Sequence, residues 1–466
     1  MVNLKHNILP LLFLLFSAFS VAQRIDPAEA EEHFKHNNFI FALGVYEKLM
    51  EKEPKNIEYP FKAGFCVLHI NSDKSKAVKY LEIASERKSD PDVDYYLAKA
   101  YHYNLKIDQA IETIEKYIAS GIGTLQEQAK RELEAFKHAK NLVSSPIDIS
   151  FENVGDLINS EYPDYYPFVT PDESSIYFTS RRKGVVGGVR EFDGYNSSDI
   201  FYSVVENGEF TKAKGAGLMV NSMYDEQAVG LSYNADLLFV YIDHIKDYGD
   251  IYTSKIVKGR AKKIEKMDES VNSKEFESAA TISADGNTLF FASRRDGGLG
   301  GKDIWMTRKL PTGEWAEPQN LGKNINTPYD EDFPNLFYDG STLYFSSKGH
   351  NSMWGYDYFK STWNPETNEL SLAENLGFPL NTPEDNICIS FTEDQRHAYV
   401  SAWRKDSYGD LDIYKVTYNE LDARQTIIKS KIVKEGTDEV ITDAFVIVTD
   451  NRTQEEIGHY TPNSKN

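Results

Sequence analysis

The sequence predicts a multidomain chain, α-helical first and all-β after. It reads as a solenoid of helical hairpins, then a β-propeller of five small antiparallel sheets (six being the alternative), then a partial β-sandwich. Three observations carry this. An acidic residue followed by a hydrophobic pair recurs as Asp199-Ile200-Phe201, Asp250-Ile251-Tyr252, Asp303-Ile304-Trp305, Asp357-Tyr358-Phe359 and Asp412-Ile413-Tyr414, with steps of 51, 53, 54 and 55 residues between the aspartates. A fixed period of this size marks a repeat architecture. Residues 26–143 are rich in Ala, Glu, Lys, Leu and Tyr at helical spacing, with few Gly or Pro. Residues 424–466 hold two further apolar runs separated by turns.

The elements follow in order. Residues 1–22 combine Lys5, an apolar run from Ile8 to Phe16, and Ser20-Val21-Ala22 before Gln23. This is the pattern of a secretory signal peptide. No cysteine follows the cleavage site, so no lipid anchor is expected there. No later run of apolar residues is long enough to span a membrane. In 26–143, Ala42, Ala77 and Ala110 stand where paired helices approach closely, and tyrosines fill the gaps. Asp73 and Asp108 suit N-caps, and a final helix is expected from Leu125 to Leu142.

Each unit of 146–420 carries more than its triplet. Asn159, Asn221, Asn272, Asn326 and Asn381 stand upstream, each followed five residues later by Asp164, Glu226, Glu277, Glu331 or Asn386. A turn comes next, such as Asp285-Gly286 or Asp339-Gly340, a strong hairpin signal. Then an aromatic recurs in an apolar strand, as Tyr177, Phe239, Phe290, Tyr344 and Tyr399. A polar loop leads to the triplet, and Glu314-Trp315-Ala316 and Leu370-Ser371-Leu372 suggest a last strand. Four short strands per unit suit a propeller blade. The aspartates and aromatics read as the blades' structural repeat. Ile147 to Phe151 precedes the first unit and is placed to supply the outer strand of the last, which removes exposed edges. In 424–466, Thr426 to Val433 and Ala444 to Val448 read as strands, with turns at Lys434 to Thr437 and Asn451 to Thr453. So few strands cannot fill a sandwich core.

Composition limits the function classes. The net charge of −21 argues against nucleic-acid binding, which needs a basic footprint. The two cysteines, Cys66 and Cys388, lie in different regions within apolar runs and read as buried small hydrophobes, not as a bridge. No G-x-S-x-G elbow, H-E-x-x-H pair or Cys/His cluster is present, and no catalytic residue, metal or cofactor is expected. His33 and His36 read as surface residues. Gly297 to Asp303 has the wrong spacing for a phosphate loop and reads as a turn. Asp330-Glu331-Asp332 offers paired carboxylates, which a glycosidase would need at a suitable separation. Arg181, Arg182, Arg294, Arg295, Lys348, Arg404 and Lys405 recur in the loops after the central strands. That shared offset places them on one rim, the expected partner-binding face.

The five matching units resemble the PD40, or WD40-like, repeats of TolB-type propellers. Leu97-Ala98, Tyr101, Ala110, Ile114 and Tyr117 match the tetratricopeptide pattern, and Ala42, Tyr46 and Pro54 match part of another copy. The last region resembles the start of a carboxypeptidase-regulatory-like β-sandwich. This order of parts is similar to the N-terminal portion of OmpA-family, PorE-like envelope proteins of Bacteroidetes. The resemblance implies a non-enzymatic periplasmic scaffold associated with the outer membrane, in an assembly such as type IX secretion. It would bind envelope proteins through its helical face and propeller rim. The OmpA-like domain that binds peptidoglycan in that family is absent from this sequence, so peptidoglycan anchoring is not expected of it. The alternatives are a propeller that binds or hydrolyses envelope glycans and a TolB-like translocation accessory.

Overall fold

A computed structural model describes residues 26–243 and 249–419 and, further on, 433–434, 436–437, 440–441, 444–449 and 456–461. The leader-like segment lies outside the described residues, as does most of the expected strand from Thr426 to Val433. The chain divides into two compact units, Met1–Asn419 and Glu420–Asn466.

The first unit opens with seven helices: α1 (Pro27–Lys35), α2 (Phe39–Lys52), α3 (Glu58–Leu68), α4 (Ser75–Glu86), α5 (Val93–Tyr103), α6 (Ile107–Ser120) and α7 (Gln126–Val143). Each packs on the next. Asp26 caps α1 by accepting the Ala28 N–H at 2.9 Å, with Pro27 in the first turn. Ala42, Ala77 and Ala110 are fully buried at the helix contacts. Tyrosine hydroxyls then tie helix to helix: Tyr46 donates to Glu31, Tyr80 to Glu47, Tyr101 to Glu82 and Tyr95 to Glu132. Asp73 does accept the Ser75 N–H at the start of α4. Asp108 is not a cap; it lies inside the first turn of α6 and pairs with Lys140 at 2.8 Å.

Five antiparallel sheets follow, forming a five-bladed propeller. From inner to outer strand, blade one holds Asp164–Val169, Ser175–Ser180 and Asp199–Glu206 with short edge pieces. Blade two holds Asp225–Leu231, Leu237–Asp243 and Asp250–Val257, again with edge pieces. Blade three holds Glu277–Ile282, Thr288–Ser293, Asp303–Arg308 and Gln319–Asn320. Blade four holds Glu331–Leu336, Thr342–Ser347, Asp357–Thr362 and Glu374–Asn375. Blade five holds Ile389–Phe391, His397–Ala402 and Asp412–Tyr418. Its outer strand is Ile149–Asn153, with Ile149 opposite Tyr418, so the start of the propeller sequence closes the ring. The short outer strands of blades three and four lie a few residues beyond the expected positions. Trp315 and Leu370 make only isolated bridges, to Lys309 and Trp363.

The repeated aromatics Tyr177, Phe239, Phe290, Tyr344 and Tyr399 are all buried between blades. Inner strands run so close that a Cβ at Gly230 would stand 1.9 Å from the Ala280 carbonyl oxygen; only glycine fits there. Aromatic pairs close the axis. Tyr166 of blade one and Phe333 of blade four belong to non-adjacent blades, yet their ring centroids are 4.4 Å apart. Tyr233 and Tyr338, on turns after the inner strands of blades two and four, meet at 5.6 Å. The propeller therefore has an aromatic plug on its axis at the loop end and another at the turn end.

In the second unit, Val446–Thr449 pairs antiparallel with Glu456–Tyr460, and the Thr437 N–H closes the turn onto the Lys434 carbonyl.

Candidate binding site

The propeller's recurring polar residues are committed to the fold. Each repeat asparagine acts as a substitute strand. Its amide oxygen accepts from, and its amide nitrogen donates to, the backbone of the residue after a repeat aspartate: Asn221 on Ile200, Asn272 on Ile251, Asn326 on Ile304, Asn381 on Tyr358 and Asn159 on Ile413. The aspartates tie down the preceding loop. Asp199 accepts the Val186 N–H, Asp303 those of Leu299 and Gly300, Asp357 that of Met353, and Asp412 that of Tyr408; Asp250 pairs with Lys266. The glycine-rich run before Asp303 is therefore a turn folded onto that carboxylate.

The acid five residues after each asparagine sits in a buried socket. It accepts the backbone N–H of Ser160, Ser222, Ser273 or Thr327, together with the hydroxyl of that same residue. Asn386 does the same for the Thr382 N–H in blade five. The socket thus needs an acceptor, not a charge. In blades one and three an arginine joins it, Arg182 on Asp164 at 2.5 Å and Arg295 on Glu277 at 3.3 Å. Among the described residues no cation pairs with Glu331, and burial pushes its carboxyl up to about 8. Burial likewise raises Glu226 to about 7.

The seven basic loop residues thus separate by environment. Arg182 and Arg295 are internal braces; besides their carboxylates they donate to the Ile158 and Val271 carbonyls and lie over Phe201 and Phe291. Arg181 forms a bidentate pair with Asp193. Lys348 pairs with Asp330 at 3.0 Å, and the Arg404 guanidinium lies 4.0 Å over Phe151. Arg294 and Lys405 are exposed. The Asp330-Glu331-Asp332 run is committed too. Asp330 also accepts the Lys302 N–H, Glu331 is fully buried, and Asp332 binds Lys302 and the Ser278 hydroxyl.

The same loops meet the chain's own helices. Arg131 of α7 donates to the Lys348 carbonyl at 3.1 Å and stacks 3.5 Å over Tyr329. Lys99 of α5 lies over Trp354, and His138 faces the Ser352 carbonyl. Asn71 donates to Asp410 at 2.8 Å, and Lys74 stands 3.7 Å from Glu384. Met353 packs with Ile107 and Ala139. Between helices and propeller mouth a cavity of about 860 Å³ remains, bordered by both.

A second feature was not picked out from the sequence. Val186 and Val189, in the long loop of blade one, and Leu218, Met219 and Met223, in the next connection, are all exposed, the last three by 83%, 63% and 66%. Gly187 lies against the Met223 backbone and brings the two loops together. The only signal was a run of apolar residues inside glycine-containing loops, and it was weak because Phe378-Pro379 stand at the positions of Leu218-Met219 in another repeat.

Both cysteines are buried and unbridged, and burial raises the Cys66 thiol to about 12. Among the described residues no group of three or more His, Cys, Asp or Glu is placed to hold a metal, and no helix is long and apolar enough to cross a membrane.

No family model matches the chain, and no curated protein does. Among solved structures, TolB from Acinetobacter baumannii is similar over 63% of this chain and 70% of its own, at 13% identity and a TM-score of 0.36. The α-L-arabinofuranosidase PaAbf62A from Podospora anserina, solved with cellotriose, is similar over 59% of this chain and 95% of its own, at 9% identity and a TM-score of 0.35. An α-L-arabinofuranosidase from Lactobacillus brevis covers 57% of this chain and 92% of its own, at 14% identity and a TM-score of 0.36. No activity or partner follows from these likenesses.

Proposed function

We propose that this chain is a non-enzymatic scaffold of the bacterial cell envelope that docks another protein on the outer rim of blade one. The observation that carries the reading is the set of exposed apolar side chains Val186, Val189, Leu218, Met219 and Met223, on two loops that meet where Gly187 lies against Met223. Contiguous apolar surface rimmed by polar residues marks protein contact sites. The helical module, with its tetratricopeptide-like spacing, supplies the second surface for partners. Envelope location rests on the leader-like pattern of residues 1–22. Outer-membrane association and a link to type IX secretion rest on the resemblance to OmpA-family envelope proteins.

Hydrolysis at Asp330 and Glu331 is the weaker reading, because Asp330 is already taken up by Lys348 and the Lys302 N–H, and Glu331 by the Thr327 N–H and the Thr327 and Ser347 hydroxyls. The test is a photo-crosslinking residue placed at Met219 in cells, with one at Lys405 as comparison. A discrete protein adduct from position 219 that is missing from position 405 is the expected result. Equal labelling at both positions, or none, would remove the docking site.

A further inference from the structure

We propose that the cavity between the helices and the propeller mouth binds a neutral oligosaccharide. Ligand sites favour such junctions between modules, in cavities of about 300–1,000 Å³ lined by aromatic residues with a few convergent polar groups, and this one measures about 860 Å³. Its floor is closed. Tyr166 lines it and meets Phe333 across the axis, so a ligand rests on the mouth and does not thread the ring. Tyr166 holds φ at +53° at the bulge of its inner strand, as Phe333 does at +49° in blade four, and the bulges bring the two rings together.

The charges that border the cavity are largely matched already. Lys74, itself 7% exposed, faces Glu384 and donates to the Val67, Leu68 and Ile70 carbonyls. Arg181 is clamped by Asp193, Lys99 faces Glu132, and Asp410 accepts from Asn71 and Tyr195. Arg404, which lies over Phe151, and Asp385, which accepts the Tyr356 N–H, stand at the border without an ion pair among the described residues; they are of opposite sign, so together they offer an ion no net charge. Neutral donors are free as well. Tyr103, Tyr166 and Trp403 line the cavity, and among the described residues their hydroxyls and indole N–H make no hydrogen bond. Phenol and indole donors on flat apolar rings suit a pyranose, whose C–H face stacks on an aromatic ring while its hydroxyls meet the polar tips. The cavity is separate from the apolar cluster on the outer rim, so it adds a ligand to the docking function without depending on it.

The test is calorimetric titration of the whole chain with maltotetraose, mannotetraose and chitotetraose, beside tetragalacturonate and an uncharged Ser/Tyr-rich peptide. At least one neutral tetrasaccharide should bind. Tyr103→Phe should weaken that binding by about fivefold or more, as expected for a lost hydrogen bond, with no change in Tm, because the hydroxyl has no internal partner. Trp403→Ala should abolish it; if that variant does not fold, Tyr166→Phe takes its place. The proposal fails if no neutral tetrasaccharide binds at about 10 mM. It also fails if the acidic oligosaccharide or the peptide binds in preference, or if Tyr103→Phe binds like the parent.

Discussion

The basic loops at the propeller mouth and the apolar loops on its rim share one end of the same blades, yet their side chains face opposite fates. Arg182 and Arg295 turn inward onto buried carboxylates, and Lys348 is held under the helices. Met219 and Met223 turn outward to solvent. A charged residue in a loop is thus not always a free charge: Arg294 and Lys405 are exposed, and the two braces are not. In blades one and three the cations satisfy the acids that knit strand to strand, while the exposed apolar side chains lie in the loops of blade one and its connection to blade two.

The largest effect should come from cutting a brace. Arg295→Met leaves Glu277 buried without its cation and should cost about 3–5 kcal/mol at pH 8, the range for one partner lost from a buried pair. The loss should shrink as pH falls, because burial raises the Glu277 carboxyl and an unpaired buried acid takes up a proton more readily, and denaturant titration at pH 8 and at lower pH checks both statements. A loss under about 1 kcal/mol would mean that the arginine is a surface charge after all.

Glu331 offers a subtler test, because its socket matches that of Glu277 but lacks a cation among the described residues. Its folded carboxyl stands at about 8 against an ordinary 4.5. The folded state therefore holds more protons than the unfolded one between those values, and stability must fall as pH rises through that window. Glu331→Gln, which copies the amide that blade five already uses at Asn386, should flatten that slope. Part of the slope should remain, since Glu226 titrates in the same direction. A variant with the parent's full pH dependence would place the titrating group elsewhere. The smallest effect belongs to the two exposed cations: Arg294→Ala with Lys405→Ala should change stability by about 0.5 kcal/mol or less, as thermal unfolding can show.

Much of this architecture was legible in the sequence. The aspartate triplets, the asparagines ahead of them and the five aromatics mark five blades, because each must be repeated wherever strands are tied the same way. Ile149 was identifiable as the closing strand because an unpaired edge needs a partner. The fate of the arginines was harder to see, since residue type does not reveal which group stands opposite. One signal did exist: Arg182 follows Asp164, and Arg295 follows Glu277, by the same 18 residues. That spacing is one hairpin of a blade. The helices' position over the mouth had no such signal, because Arg131 and Lys348 meet across 217 residues with no repeat to relate them. The short outer strands escaped for another reason. A pair such as Gln319–Asn320 has no apolar run; it is held by its backbone and by the Asn320 side chain on Asp303.

On the proposed reading, Arg182 and Arg295 hold the fold and the apolar loops of blade one hold a partner. The most direct measurement compares Arg295→Met with the double variant Met219→Glu, Met223→Glu, scoring each for thermal stability and for capture of the protein crosslinked at position 219. The arginine variant should lose stability yet still capture the partner below its melting temperature. The methionine variant should keep its stability and lose capture. The reverse pattern, with capture following the arginine and stability following the methionines, would contradict it.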